Sequence, residues 1–289
     1  MTGRITVVIA TRDRRDQLTR TLDHLRALRP RPPVIVLDNG STDGTAGTVR
    51  ARYPDVELVA LRRNEGAAAR NLGVAGARTP YVAFSDDDSW WEPGALPLAE
   101  RVLDEHPGVG LIAATPVVNP RGEPDPVARL MAASPLGRPD GLPGPAVLGF
   151  LACASVVRRD AYLAVGGFSR LLHFAAEEKL LAYDLAAAGW QLCHVDGVRA
   201  RHHPSPGRPG EHRRMLEERN RLLISWLRRP RRTALTHTAD VLRRAATDPL
   251  ARKAFGQAAR RLPTALAQRR ELPSRLEQQV RLLEREHGH

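Results

Sequence analysis

Three adjacent carboxylates, Asp86-Asp87-Asp88, stand where the apolar run Val82-Ala83-Phe84 stops. Acids this close repel one another, so a folded chain keeps them together only where solvent, basic side chains or a bound cation offsets their charge. Hard oxygen ligands suit Mg²⁺ or Mn²⁺, and those ions suit a diphosphate. The plain alternative is a solvated acidic turn that caps the following helix.

The elements around the acids favour a binding edge. Val82–Phe84 reads as the end of a buried strand and 94–106 as a helix, which places the acids on a loop at a strand's C-terminal edge, where open α/β sheets bind ligands. Upstream, Ile5–Ala10 and Val34–Leu37 read as strands, with Leu18, Leu22, Leu25 and Leu28 at helical spacing between them. The second strand runs into Asp38-Asn39-Gly40-Ser41-Thr42-Asp43-Gly44, a loop in which Gly40 and Gly44 can supply positive φ and Asp43 suits a turn-forming role. Val56–Leu61 is a third strand, and Ala67–Ala77 is a helix of small residues able to approach the sheet closely. Alternating strands and helices predict a mostly parallel sheet covered on both faces.

Past the strand 109–114, the segment 116–145 is rich in Pro and Gly and is expected to be a mobile excursion, either a lid, an acceptor wall or a passive insertion. Order resumes at 147–157, with a short helix at 160–165, a helix running from Phe174 to Gly189 and a last strand at 190–195. Arg201-His202-His203-Pro204 is expected on a loop. A helix at 213–227 leads into helical pieces that Pro230, Pro249, Pro263 and Pro273 should separate, and Ser274 with Glu277 forms a capping-box pattern.

With 289 residues and 42% hydrophobic content, the chain can bury a good core. No stretch approaches the ~18–20 apolar residues of a membrane span, and Ile5–Ala10 is too short for a signal peptide, so a cytoplasmic location is expected. Cys153 and Cys193 sit in apolar runs and read as buried thiols. The net charge is +12, carried almost wholly by arginine; residues 226–289 hold fifteen Arg or Lys against six Asp or Glu, so nine of the twelve charges lie there. Such a tail can meet nucleic acid, anionic lipid or an acidic partner, or it can be a solvated helix face.

Several motifs in order give the chain a resemblance to family 2 glycosyltransferases of the GT-A fold, over roughly residues 4–225. TRDRRDQLTRTL resembles the family's first strand and nucleotide-contacting loop, and VIVLDNGSTDGT its second-strand signature. NEGAAARNLG followed by YVAFSDDDSWW resembles the segment ending in the DXD motif. FLACASVVRRDAYLAVGGF resembles the acceptor-side segment, and EEKLLAYDLAAAGW stands where an ED-type motif opens the catalytic helix.

The resemblance implies a Rossmann-like sheet flanked by helices, a glycosyltransferase domain over 1–227 (a nucleotide-sugar half at 1–115 and an acceptor and catalytic half at 116–227), and a basic helical extension at 228–289. It implies an inverting transfer from a nucleoside diphosphate sugar to a hydroxyl of a carbohydrate, lipid-linked or small-molecule acceptor, with Mn²⁺ or Mg²⁺ as cofactor. Thr11, Arg12, Asp38, Arg70, Asp86 and Asp87 are then expected on the donor. Asp88 and Asp86 are expected at the metal, with His202 or His203 completing its shell. The family's base is usually the Asp of the ED pair, and Glu178 stands in that place with Glu177 beside it, so either can be the base. Trp90 and Trp91 can stack on a sugar, with room for only one of them in the core. Separately from the resemblance, the charge placement makes the extension expected to dock either on an anionic membrane, at the inner face of the cell membrane, or on a partner.

Rival readings fare worse on the same residues. A sugar nucleotidyltransferase usually has a Gly-rich loop after its first strand, and TRDRRDQ has no glycine. A dinucleotide oxidoreductase needs GxGxxG there. A basic, non-catalytic nucleic-acid binder lacks aromatic platforms near the tail and leaves the acids unexplained, so no nucleic acid is expected.

Overall fold

A computed structural model describes residues 3–118, 122–204 and 210–287. In chain order, β1 (Ile5–Thr11), α1 (Arg15–Ala27), β2 (Val34–Asp38), α2 (Thr45–Arg52) and β3 (Glu57–Ala60) come first. A 3₁₀ turn over Gly66–Ala69 then feeds α3 (Arg70–Gly76), followed by β4 (Tyr81–Asp86), β5 (Ser89–Trp91) and α4 (Ala95–Glu105). The second half holds β6 (Val109–Val118), β7 (Glu123–Pro124), α5 (Pro126–Ala132), β8 (Ser155–Arg158), α6 (Arg159–Ala164), α7 (Glu177–Ala187) and β9 (Gln191–His202). Four helices finish it: α8 (Gly210–Arg228), α9 (Arg231–Ala245), α10 (Pro249–Ala267) and α11 (Ser274–His287).

The described strands form one nine-stranded sheet ordered β3-β2-β1-β4-β8-β6-β9-β5, with β7 on β6. β3, β2, β1, β4, β6 and β9 share one direction, and β8, β5 and β7 run against it. The period-2 alternation is visible in β1, where Val7 and Ile9 join the core under α1 and α4 while Val8 joins the core under α3 and α7. Covering both faces explains why these strands are apolar throughout. α3 lies as close to the sheet as its small residues allow: a Cβ on Gly73 would stand 2.6 Å from Val8 Cγ1.

Several expectations shift. The 116–145 excursion is more ordered than its composition suggests: β6 extends to Val118, and Asp125 caps α5, with Pro126 at its first position. Residues 119–121 lie outside the described set. α7 begins at Glu177, because His173, Ala175 and Ala176 take left-handed φ of 64°, 74° and 59° and so end any helix before it. β9 runs through His202, so the Arg201-His202 pair is strand and not loop: antiparallel pairing with β5 (Ser89↔His202, Trp91↔Ala200) prolongs it. Pro263 sits inside α10, where it removes one backbone bond without ending a helix that buries Ala254, Ala258 and Ala265.

The extension is packed into the domain. Leu180 and Tyr183 of α7, Leu222, Leu223 and Leu227 of α8, Val241 of α9 and Leu276 and Val280 of α11 share one apolar cluster. Arg228 grips Asp184 of α7 through Nε and Nη2. Buried Arg229 pairs with Glu277 (2.7 Å) and Glu284 of α11. Glu277, the residue that the capping-box pattern singled out, therefore serves an interhelical clamp.

Candidate active site

The acids lie at the end of β4 as expected, but each one faces a different neighbour. Asp86, the last residue of the strand, is gripped by Nη2 of Arg70. Arg70 is the first residue of α3 and is buried. Its guanidinium has Asp86, Glu177 and Glu178 as electrostatic neighbours; burial opposes its charge, these three acids outweigh that, and its pKa is raised. One arginine thus stands between Asp86, to which it is bonded, and the charges of the two α7 glutamates.

Asp87 points inward. It accepts bonds from Thr11 Oγ1 (2.9 Å) and Arg14 Nε (2.6 Å), and its carbonyl accepts one from Thr21. Burial pushes its carboxyl up to about 6 against the pull of Arg14. Thr11 and Asp87, both expected on a donor, bond each other, because the turn after β4 folds Asp87 back against β1 and α1. Arg14, at the start of α1, also donates from Nη2 to Asp88 Oδ2 at 2.5 Å. Sequence reasoning missed this residue, one of three arginines in TRDRRD.

Asp88 Oδ1 stands 3.6 Å from His202 Nε2. That is long for a hydrogen bond, but two donors bound to one ion at ~2.1 Å stand about 3–4 Å apart. His203, the next residue, is exposed, and only its backbone N–H reaches the carbonyl of Asp88 (2.8 Å). Its side chain lines a separate groove with Arg20, His24 and Trp90, so strand alternation separates the two histidines. No group of three His, Cys, Asp or Glu side chains among the described residues is set for a metal. Two protein donors nevertheless fit Mg²⁺ or Mn²⁺, which commonly take one or two carboxylates and fill the remaining positions with substrate phosphate and water.

Asp38 ends β2, buried, with Oδ1 accepting from Ser41 N (2.9 Å), so it too forms a local turn. Asp43 is a fuller turn-former, accepting from Arg15 N, Thr45 N and Thr45 Oγ1. Arg12 is exposed beside Asp13. Asn71 ties down the 168 turn: Phe168 N donates to Oδ1 and Nδ2 donates to Phe168 O, both at 2.9 Å. Trp90 and Trp91 are both buried, against expectation: β5 turns them under α1, where Trp90 stacks on His24 at 4.0 Å and 9°.

The turn before α7 is clamped from two sides. Ala67 N donates to His173 O (2.8 Å), with Gly66 so close that a Cβ would fall 2.1 Å from that oxygen. On the other side, Asn220 Nδ2 of α8 donates to the carbonyls of Leu172, Phe174 and Ala175. Asn220 is a second residue no sequence signal marked. The two glutamates that follow differ. Glu177 is 3% exposed and its Oε2 has no partner; burial and the neighbouring Glu178 push its carboxyl up to about 8. Glu178 is raised too, chiefly by burial, but it lines a cavity of about 880 Å³.

Residues 6–166 match the family described as "Glycosyl transferase family 2". The pre-mycofactocin glycosyltransferase of Mycobacterium tuberculosis is 33% identical over 227 residues, covering 74% of this chain and 44% of that protein. The chain therefore spans less than half the length of that relative. The N-acetylglucosaminyl-diphospho-decaprenol L-rhamnosyltransferase of the same organism is 28% identical over 249 residues, covering 73% and 81%. Among solved structures, the Pyrobaculum calidifontis mannosyltransferase PcManGT, in complex with GDP-Man and Mn²⁺, aligns at a TM-score of 0.61 with 22% identity, covering 93% of this chain and 74% of that one. S. aureus TarS (residues 1–349) aligns at 0.58 with 16% identity, covering 92% and 90%. These likenesses show a GT-A glycosyltransferase fold.

Proposed function

Because the chain belongs to glycosyl transferase family 2, we propose that it is an inverting, metal-assisted glycosyltransferase that moves a sugar from a nucleoside diphosphate to an acceptor hydroxyl. The observation that carries this reading is the meeting of Asp86 and the α7 glutamates around Arg70. It gives one side for a charged leaving group and another for a base, as single displacement requires.

Asp38 and Asp86 would take the nucleoside and ribose, and Asp88 with His202 would hold the divalent ion. That ion would supply Lewis acidity to the departing diphosphate oxygen. Glu177, deep and with its Oε2 unpaired, is pushed up to about 8 and keeps its proton at neutral pH, which leaves Glu178, open to the cavity, in the place of the base. Glu178 accepts the acceptor's O–H proton as the new bond to the anomeric carbon forms and the bond to the diphosphate breaks on the opposite face. Arg70 keeps its charge and steadies both acids.

The finer reading of location rests on α9. Its outer face exposes Leu235, Ala239, Leu242 and Ala246 at helical spacing, beside exposed Arg231, Arg232 and Arg243. An apolar stripe flanked by arginine suits an anionic membrane interface. No helix among the described residues is long and apolar enough to cross a membrane.

The test is a panel of nucleoside diphosphate sugars with Mn²⁺ or Mg²⁺, read by melting temperature and by slow donor hydrolysis. One donor should stabilise the protein only with metal and be consumed. A panel in which no sugar nucleotide binds defeats the reading.

A further inference from the structure

The 880 Å³ cavity beside Glu178 is walled by elements that the catalytic reading leaves unused. α5 supplies Leu130 and Met131, the loop before β8 supplies Leu148 and Phe150, and α8 and α9 supply Leu222 and Val241. This volume lies in the range that buries a drug-sized body, and pockets of that kind are mostly apolar with a few placed polar groups. A free glycan, rich in hydroxyls, would leave Leu130, Met131, Leu148, Phe150, Leu222 and Val241 unmatched, whereas an apolar body would cover them and leave the polar lining to a head group.

The polar groups are sorted along the cavity. Arg243 pairs with Asp240, and Arg244 with Asp240 and Glu218. Arg221 also lines the cavity, is exposed, and has no carboxylate partner among the described residues. Leu130, half exposed on α5, marks the mouth. Lys179 lines the cavity too without an ion-pair partner among the described residues, but it is half-buried over the Tyr183 ring. Of the two cations without a carboxylate partner Arg221 is thus the exposed one, and Glu178 faces it across apolar walls.

We propose that this cavity is the acceptor site and takes an amphiphile: a hydroxyl-bearing head presented to Glu178, an apolar body along Met131, Leu148, Leu222 and Val241, and an anionic group at Arg221. It rests on the transfer reading above for the role of Glu178, but its binding chemistry stands apart from the donor side.

8-Anilinonaphthalene-1-sulfonate, an apolar ring system with one anionic group, is a direct probe of the full chain by fluorescence titration. Saturable binding is expected, weakened about tenfold, roughly 1.4 kcal/mol, by Arg221→Glu and by Leu130→Glu, both at exposed positions that tolerate charge. Octyl β-glucoside below its micelle concentration should displace the dye, and methyl β-glucoside, with the same head, should not. Leu130→Glu should leave the metal-dependent donor shift in melting temperature intact. Unchanged dye binding in both variants, or equal displacement by the two glucosides, overturns the proposal. So does octyl glucoside that binds yet leaves donor consumption unaltered. If no sugar nucleotide binds the parent protein, the transfer reading and the acceptor role fall together, while the dye and glucoside results still decide whether the cavity selects amphiphiles.

Discussion

Arg14 Nη2 lies 2.5 Å from Asp88 Oδ2 while its Nε holds Asp87 at 2.6 Å, so one side chain offsets two of the three clustered acids. Removing a partner from such a largely buried group leaves uncompensated charge, which costs about 3–5 kcal/mol. Arg14→Met should lose stability on that scale in urea unfolding. Asp87→Asn in the same chain should restore part of it, since it removes a carboxyl that burial already disfavours. A single Arg14→Met as stable as the parent contradicts this account.

The same arginine competes for Asp88 with any bound ion. His202→Ala and Asp88→Ala should each weaken the Mn²⁺ dependence of donor binding by about 10-fold or more, while His203→Ala should leave it unchanged. Calorimetric titration with Mn²⁺ and the nucleotide distinguishes them. Equal effects from both histidines would mean that the 3.6 Å approach of His202 to Asp88 has no part in binding.

Glu178→Gln should retain donor affinity and lose transfer by ~10²–10⁴. Glu177→Gln should keep most activity, because its parent already carries the proton at neutral pH. If Glu177→Gln abolishes turnover and Glu178→Gln does not, the roles are reversed.

Glu177 also makes stability depend on pH. Its carboxyl titrates at about 8 in the fold and near the ordinary 4.5 when unfolded, so between those values the native state binds more protons. Its contribution is fully favourable below about pH 4.5, declines as pH rises toward 8, and then levels off. Glu177→Gln should therefore raise the melting temperature more at pH 8 than at pH 5, by about 2–8 °C at the higher pH. A pH-independent difference refutes it.

Deleting 228–289 should not liberate a working domain. The cut exposes Tyr183, Leu222, Leu223 and Leu227 and strips Asp184 of Arg228. The shortened chain should lack a cooperative melting transition, and a sharp one would show the boundary at 227 to be real. Membrane docking is better tested by Arg231→Glu, Arg232→Glu and Arg243→Glu together. At about 1 kcal/mol per basic residue, sedimentation with phosphatidylglycerol vesicles should fall about a hundredfold.

What the sequence made legible was what local patterning controls: the strands up to Asp86, the positive φ of Gly40 and Gly44, the small-residue helix, and the acids at a strand edge. What it hid depends on partners far along the chain. β5 has only three residues, and β9 reaches His202 only because β5 pairs with it. Three arginines in TRDRRD look alike until α1 begins at Arg15 and turns Arg14 onto the acids. The inward turn of Asp87, and of both tryptophans, likewise needs the α1 wall that receives them.

The left-handed turn 173–176 separates two things that could have been bound together. Its anchors are backbone carbonyls held by Ala67 and Asn220, and none belongs to the cavity walls or to the nucleoside loop. Residues of α5 can therefore change without moving the turn that sets the glutamates, whereas the 147–150 segment runs into Ala152, whose backbone bonds Glu178. If the cavity takes the acceptor, α5 is where this chain is retuned while its reaction chemistry is inherited unchanged. Asn220 is the counterpart: an unremarkable amide whose loss would silence every such variant alike.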